Sequence, residues 1–182
     1  GWRAADQADR CRAARREELG WEQREIVLFG RRVLQPRRVA WAGALPYRYS
    51  GQTLEPRAFT PTVREILDLV QETIRAPFNH VLANRYRDGR DSIGAHADDE
   101  PELGVDPLVA TVSLGTTRRF VLTPRRGGRD DRHILDLGHG SLLVMGGTCQ
   151  RHYVHAAPRQ PTVSGERISL TLRCLRRAPD PD

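Results

Sequence analysis

The stretch "RISLTLR", residues 167–173, alternates without a break. In an extended chain Arg167, Ser169, Thr171 and Arg173 project to one side and Ile168, Leu170 and Leu172 to the other. The apolar side packs against another layer, and the opposite side borders either solvent or a polar cavity. Two arginines bracketing two hydroxyls suit a dicarboxylate, because a guanidinium pairs bidentately with a carboxylate. A second segment, "VLANRYR", repeats the pattern: Leu82, Asn84 and Tyr86 share a face, so an amide and a phenol can join the same polar surface.

Outward from these two, the chain after residue 80 is a series of short β-like runs, among them "LVATVSLG", "RRFVLTP", "HILDL", "GSLLVM" and "RHYVH", separated by Gly, Asp and Pro clusters. Many short strands with closely spaced turns predict a sandwich or jelly-roll barrel. Upstream, Thr60 and Pro61 form an N-cap and N1 pair, and Val63, Ile66, Leu67, Val70 and Ile74 recur at helical spacing, so one amphipathic helix is expected. "EIVLFGRRVL" reads as two strands around Gly30, and "QPRRVAWAGALPYRYSG" as loop-rich surface hairpins. Residues 3–19 read as a solvated helix or a frayed extension.

A chain of 182 residues can bury one sizeable core, and no apolar run approaches the roughly 18 residues that span a bilayer. The expectation is a soluble, intracellular monomer with no membrane contact, in a bacterial cytoplasm and nucleoid or a eukaryotic nucleus. The chain starts at Gly1 and its one methionine is Met145, so some native sequence is expected to precede it. Cys11, Cys149 and Cys174 are widely spaced and odd in number, which argues against a disulfide framework or a zinc knuckle. The net charge is +6, and all 29 basic residues are arginine. Residues 1–60 hold 12 arginines against 7 acids. This balance fits an anionic partner such as nucleic acid, although a GC-rich coding sequence gives the same arginine bias. The loop "PRRGGRDDRH", residues 124–133, is either a solvated hairpin or a contact to a nucleic-acid backbone.

The chemistry concentrates in "IGAHADDE", residues 93–100, where His96 and Asp98 stand two apart and face one side of an extended segment. A third ligand would come from "RHYVHAAP", in which His152 and His155 lie on opposite faces of a strand, so that one of them points inward. Two histidines with one carboxylate favour ferrous iron and leave open positions for cosubstrate and oxygen. Structural zinc sites take four protein ligands, and catalytic ones three with a water.

The motifs "NRYRDGRDSIGAHADDE", "SLG", "HGSLLVMGG", "HYVHAAP" and "RISLTLR" together resemble the AlkB-type iron(II) and 2-oxoglutarate dependent dioxygenases that repair alkylated nucleic acid, over residues 25–175. The resemblance implies a mainly β, α+β fold: a double-stranded β-helix, or jelly roll, with N-terminal helix and hairpin extensions. It divides one globular domain into a basic extension (1–20), nucleotide-recognition hairpins with a supporting helix (21–79), a catalytic core (80–176) and a tail (177–182). It makes His96, Asp98 and His155 the Fe(II) ligands and leaves His152 aside. Arg167 and Tyr86 would hold the distal carboxylate of 2-oxoglutarate, with Asn84 and Arg173 nearer its keto acid. Ser169 stands where well-known members carry asparagine. Glu100, Phe29 and Tyr47 become substrate contacts: Glu100 beside the target base, Phe29 as a wedge filling the gap of a flipped base, as in the duplex-repairing branch, and Tyr47 against the damaged nucleotide.

By this resemblance the protein would hydroxylate the N-methyl group of 1-methyladenine or 3-methylcytosine in DNA or RNA, consuming 2-oxoglutarate and O2 and releasing succinate, CO2 and formaldehyde. The rival enzyme reading is the same chemistry on a protein or small molecule. A degenerate, non-catalytic nucleic-acid-binding module predicts the loss of an iron or cosubstrate residue, and Ser169 is the one change; a β-sandwich with a fortuitous zinc site gives no reason for Arg167 and Arg173 to share a face with Ser169 and Thr171.

Overall fold

A computed structural model describes residues 19–28 and 30–176; Phe29, most of the N-terminal extension and the tail from 177 lie outside the described residues. Thirteen strands run β1 (Glu25–Leu28), β2 (Arg31–Leu34), β3 (Arg38–Gly43), β4 (Tyr47–Tyr49), β5 (Gln52–Leu54), β6 (His80–Tyr86), β7 (Ile93–His96), β8 (Val109–Gly115), β9 (Arg118–Pro124), β10 (His133–Leu137), β11 (Ser141–Met145), β12 (Tyr153–Ala157) and β13 (Arg167–Arg173). Helix α1 (Pro61–Ile74) precedes β6, and a single-turn helix α2 (Cys149–His152) leads into β12. Among the described residues no helix is long and apolar enough to cross a membrane.

The molecule is mainly β. Five strands form one sheet in the order β11-β8-β13-β6-β3, and four form a second in the order β10-β9-β12-β7, with every pairing antiparallel. β13 is the central strand of the larger sheet, with Ser169 opposite Asn84 on one side and Ser113 on the other. The period-two pattern then fixes both faces. Ile168, Leu170 and Leu172 join Val81, Ala83, Ala110 and Val112 in a core closed by α1. The alternate residues of β13, β6 and β8 turn toward the smaller sheet.

Helix α1 forms where capping and pattern agree. The Val63 amide donates to Thr60 Oγ1 at 3.3 Å, Pro61 gives up no needed donor at the first helical position, and Arg75 closes the end with φ 57°. Val63, Ile66, Leu67 and Val70 are buried on the sheet, each contributing about 1.5–3 kcal/mol of apolar burial.

Between β3 and β4 the expectation of surface hairpins needs correction. β1 and β2 do pair around Gly30, and β4 and β5 form a two-stranded ribbon, but β3 joins the large sheet as its edge strand, paired to β6. Val39 to Gly43 are buried along it. With Val39, Ala40, Trp41, Ala42 and Gly43 apolar in succession and both faces covered, β3 lacks the polar alternation that marks a half-exposed strand.

A clamp sets the entrance to β7. Arg118, 1% exposed, donates to the carbonyls of Asp88 (2.8 Å), Asp91 (2.8 Å) and Pro158 (2.9 Å). A Cβ on Gly89 would sit 1.8 Å from the Gln160 carbonyl oxygen, so only glycine allows this approach.

Because Leu67 is 1% exposed at the centre of the α1 contact, Leu67→Ala should destabilise the fold by about 2–5 kcal/mol, and Thr60→Ala by about 1 kcal/mol, in urea titrations of both variants.

Candidate metal and cosubstrate site

The inward faces of the two sheets meet around one polar cavity. β7, the segment just after it and β12 carry the ligands expected of a metal centre: one donor atom from each of His96, Asp98 and His155 falls within 4.8 Å of the others. His96 and His155 are register partners across the strand pair, their rings 4.3 Å apart, and the His155 ring stacks on Phe120. His96 Nδ1 lies 2.9 Å from the Gly94 carbonyl. A carbonyl only accepts, so Nδ1 bears the proton and Nε2 keeps its lone pair for a metal. His152 is exposed and outside this group.

Asp98 is anchored from two sides. Its backbone amide donates to the Gln150 side-chain oxygen at 3.0 Å, and its Oδ1 accepts from Arg173 Nη2 at 2.6 Å, both partners being buried. Burial pushes the Asp98 carboxyl up, but Arg173, His155 and His96 outweigh it and hold it below the usual carboxylate range. Burial, with the neighbouring His96, lowers His155 to about 3. An ionised carboxylate with neutral imidazoles is the protonation state a divalent cation requires.

The other end of the cavity is cationic. Arg167 is 2% exposed, donates to Ser113 Oγ at 2.8 Å and stands 5.3 Å above the Tyr86 ring, yet its Nε has no partner and no carboxylate pairs with it among the described residues. Burial pulls its basicity down, against the smaller effect of Tyr86. A buried guanidinium without an anion is costly, and a ligand carboxylate offsets that cost. Arg173 Nε and Nη1 are likewise without partners, on the ligand side of the cavity. Asn84, Tyr86, Ser169 and Thr171 line the wall between the two arginines. The donors present therefore fit a dicarboxylate bridging Arg167 and the metal.

Of the residues expected to contact substrate, Phe29 lies outside the described residues. Tyr47 does not reach the cavity. It is 0% exposed, packed edge-on against His80, and burial pushes its phenol far up. Tyr49 lines the cavity in its place. The two tyrosines share one face of β4, so alternation marks both equally, and the depth of the strand selects the second. Glu100 is half-buried near Arg173, Asp98 and Tyr47, and burial raises its carboxyl against the pull of Arg173.

One residue escaped the pattern altogether. Arg37, 4% exposed, donates from Nε to Asn84 Oδ1 and from Nη2 to the Tyr49 hydroxyl, both at 2.7 Å. It thereby leaves the Asn84 amide NH2 free for the cavity and fixes the Tyr49 ring. In a chain with so many arginines, "PRR" carries no signal that singles it out.

The 2OG-Fe(II) oxygenase superfamily model matches residues 2–173. The chain is 36% identical over 173 residues to a human protein named alpha-ketoglutarate-dependent dioxygenase alkB homolog 3, covering 91% of this chain and 60% of that one. It is 39% identical over 156 residues to a human protein named DNA oxidative demethylase ALKBH2, covering 81% and 60%. The chain thus spans about three fifths of the length of these relatives. Among solved structures it is similar to OsALKBH1, with a TM-score of 0.62, 18% identity and coverage of 95% and 93%, a likeness of fold alone.

Two outcomes follow from the site's charges. Arg167→Met should leave the thermal midpoint of the ligand-free protein unchanged or raised, while abolishing the upward shift that millimolar 2-oxoglutarate produces in the parent protein. His80, 1% exposed, is lowered to about 3 by burial and by Arg173, well below 6.5, so the unfolded chain takes up this proton first. Its contribution to stability is complete above about pH 6.5 and is lost as pH falls toward 3, and His80→Leu should flatten that part of the profile in urea titrations at pH 7 and pH 5.

Proposed function

The chain belongs to the 2OG-Fe(II) oxygenase superfamily, with its similarity among AlkB-type members, and from this premise we propose that it removes N-linked methyl groups from bases such as 1-methyladenine and 3-methylcytosine in nucleic acid, releasing formaldehyde. The observation that carries the reading is the single cavity holding a three-ligand metal site at one end and a buried, acid-free arginine at the other. The two facing antiparallel sheets support a double-stranded β-helix, the architecture this chemistry uses.

Fe(II) with 2-oxoglutarate and O2 supplies the oxidising power that hydroxylates an unactivated methyl group, and decarboxylation leaves succinate. The chain's own residues do the rest. His96, Asp98 and His155 hold the metal on one side, with Gly94 fixing the His96 tautomer and Gln150 and Arg173 fixing Asp98. Arg167 and Tyr86 receive the distal carboxylate of the cosubstrate, Asn84 and Ser169 border its chain, and the free donors of Arg173 face its keto-acid end. Ser169 has a shorter reach than an amide side chain, so its hydroxyl contributes to the polar wall rather than a long hydrogen bond.

On the substrate side Tyr49, held by Arg37, presents an aromatic ring beside His96 at the cavity wall, suited to stack a base taken out of a strand. Methylation at these positions gives the base a positive charge, which an aromatic face and the carboxylate of Glu100 favour over a neutral base. The wedge role for Phe29 is part of the proposal. The substrate under this reading is DNA or RNA.

Under iron(II), 2-oxoglutarate and O2, an oligonucleotide carrying one 1-methyladenine should lose a methylene mass, with formaldehyde released and neither change seen without 2-oxoglutarate. His96→Ala should lower turnover at least about 100-fold. Succinate formation with an unchanged oligonucleotide would move the assignment to a protein or small-molecule substrate.

A further inference from the structure

A second cavity opens beside the site, outside the ligand set. Pro124, Arg125, Arg126, Arg151, His152 and Tyr153 line a cleft of about 610 Å3 where β9 ends and α2 hands over to β12. The walls are tied together: Tyr153 is the register partner of Pro124, and the Arg125 amide donates to the His152 carbonyl at 2.7 Å.

Its lining is also positive, but these arginines reach solvent. Three arginines meet here, and two are steadied from behind, Arg125 by Asp99 and Arg151 by Asp106, each at 2.7 Å. Arg125 uses Nη2 alone, on Asp99 and the Gln150 carbonyl, and Arg151 uses Nε and Nη2 on Asp106, so Nη1 of each guanidinium keeps its N–H groups for the cleft. Arg126 is exposed. Three guanidinium groups set against two carboxylates leave a net positive lining, and a half-buried Tyr153 ring adds an apolar wall that a sugar or base can lie against.

The position is as informative as the charge. Tyr153 and His155 lie on the same face of β12, two residues and roughly 7 Å apart. At about 3.4 Å of rise per nucleotide, a strand that delivers one base to His155 carries a phosphate one or two nucleotides away to the mouth of the cleft.

We propose that this cleft is a phosphodiester site that grips the backbone of the strand flanking the target nucleotide. The inference rests on the nucleic-acid reading given above and assigns to it a named surface. Forked guanidinium donors match phosphate oxygens bidentately and read no sequence, so the cleft holds and registers a strand without selecting its bases.

The test uses binding rather than turnover. Fluorescence anisotropy of the full chain with a fluorescein-labelled, unmodified single-stranded thymidine oligonucleotide is followed across a salt series for the parent protein, Arg126→Ala, Arg151→Ala and the double variant. Each lost phosphate contact should reduce the slope of log affinity against log salt by about 0.7, or about fivefold in affinity near 0.1 M salt, and the double variant should lose about 25-fold. An unchanged 2-oxoglutarate thermal shift in the variants shows that the fold and the cavity between the sheets are intact, and Arg126→Glu should weaken binding further than Arg126→Ala. Parent binding with an unaltered slope in the double variant overturns the cleft assignment alone. A parent protein with no salt-dependent oligonucleotide binding overturns the nucleic-acid reading and the cleft with it. Unaltered oligonucleotide binding with lost retention of polyglutamate assigns the cleft to an acidic protein partner and also overturns the proposal.

Discussion

Two guanidinium groups are buried six residues apart on β13, and among the described residues the one carboxylate hydrogen-bonded to either is Asp98, on Arg173. Strand geometry makes this unavoidable. With Ile168, Leu170 and Leu172 committed to the α1 core, Arg167 and Arg173 have no route to water. Arg173 settles against Asp98 and thereby keeps a metal ligand ionised, while Arg167 is left to an anion from outside. The interior is therefore built around a missing negative charge, and the cosubstrate's chemistry follows from that deficit.

The supports for this arrangement come from distant parts of the chain. Arg118 holds the loop between β6 and β7 against residues 158–160, which sets where β7 begins and so where His96 points. Arg37, from the segment before β3, joins Asn84 on the cosubstrate wall to Tyr49 at its edge. Arg37 and Arg118 are thus more than nine-tenths buried, as are Arg167 and Arg173, and the roles of the first two are positional. The net charge of the chain understates how much of its arginine is structural.

The metal and cosubstrate walls were legible because their signals are local. The period of two in "RISLTLR" and "VLANRYR" sorted faces correctly, and the spacing of His96, Asp98 and His155 survived folding as one cluster. What was not legible depends on burial that alternation does not encode. β3 reads as loop because its small residues are covered on both faces, Tyr47 and Tyr49 differ in depth but not in parity, and Arg37 is one of two adjacent arginines whose burial comes from strands far away in the sequence. The basic loop at 124–133 was left between two readings; its first residues do line a cleft, together with α2.

β7 is an edge strand of the smaller sheet, paired only to β12, with a register shift between His155 and Ala157. One metal ligand therefore sits on a ladder with a single neighbour and an irregular rung, the kind of element that opens at the lowest free energy in native-state exchange. A cation bridging His96 and His155 would cross-link that edge to its neighbour. Loading the centre and closing the sheet are then one equilibrium, so the exchange rate of the amides around Ile93 to His96 is a direct gauge of how much of the population is charged with metal.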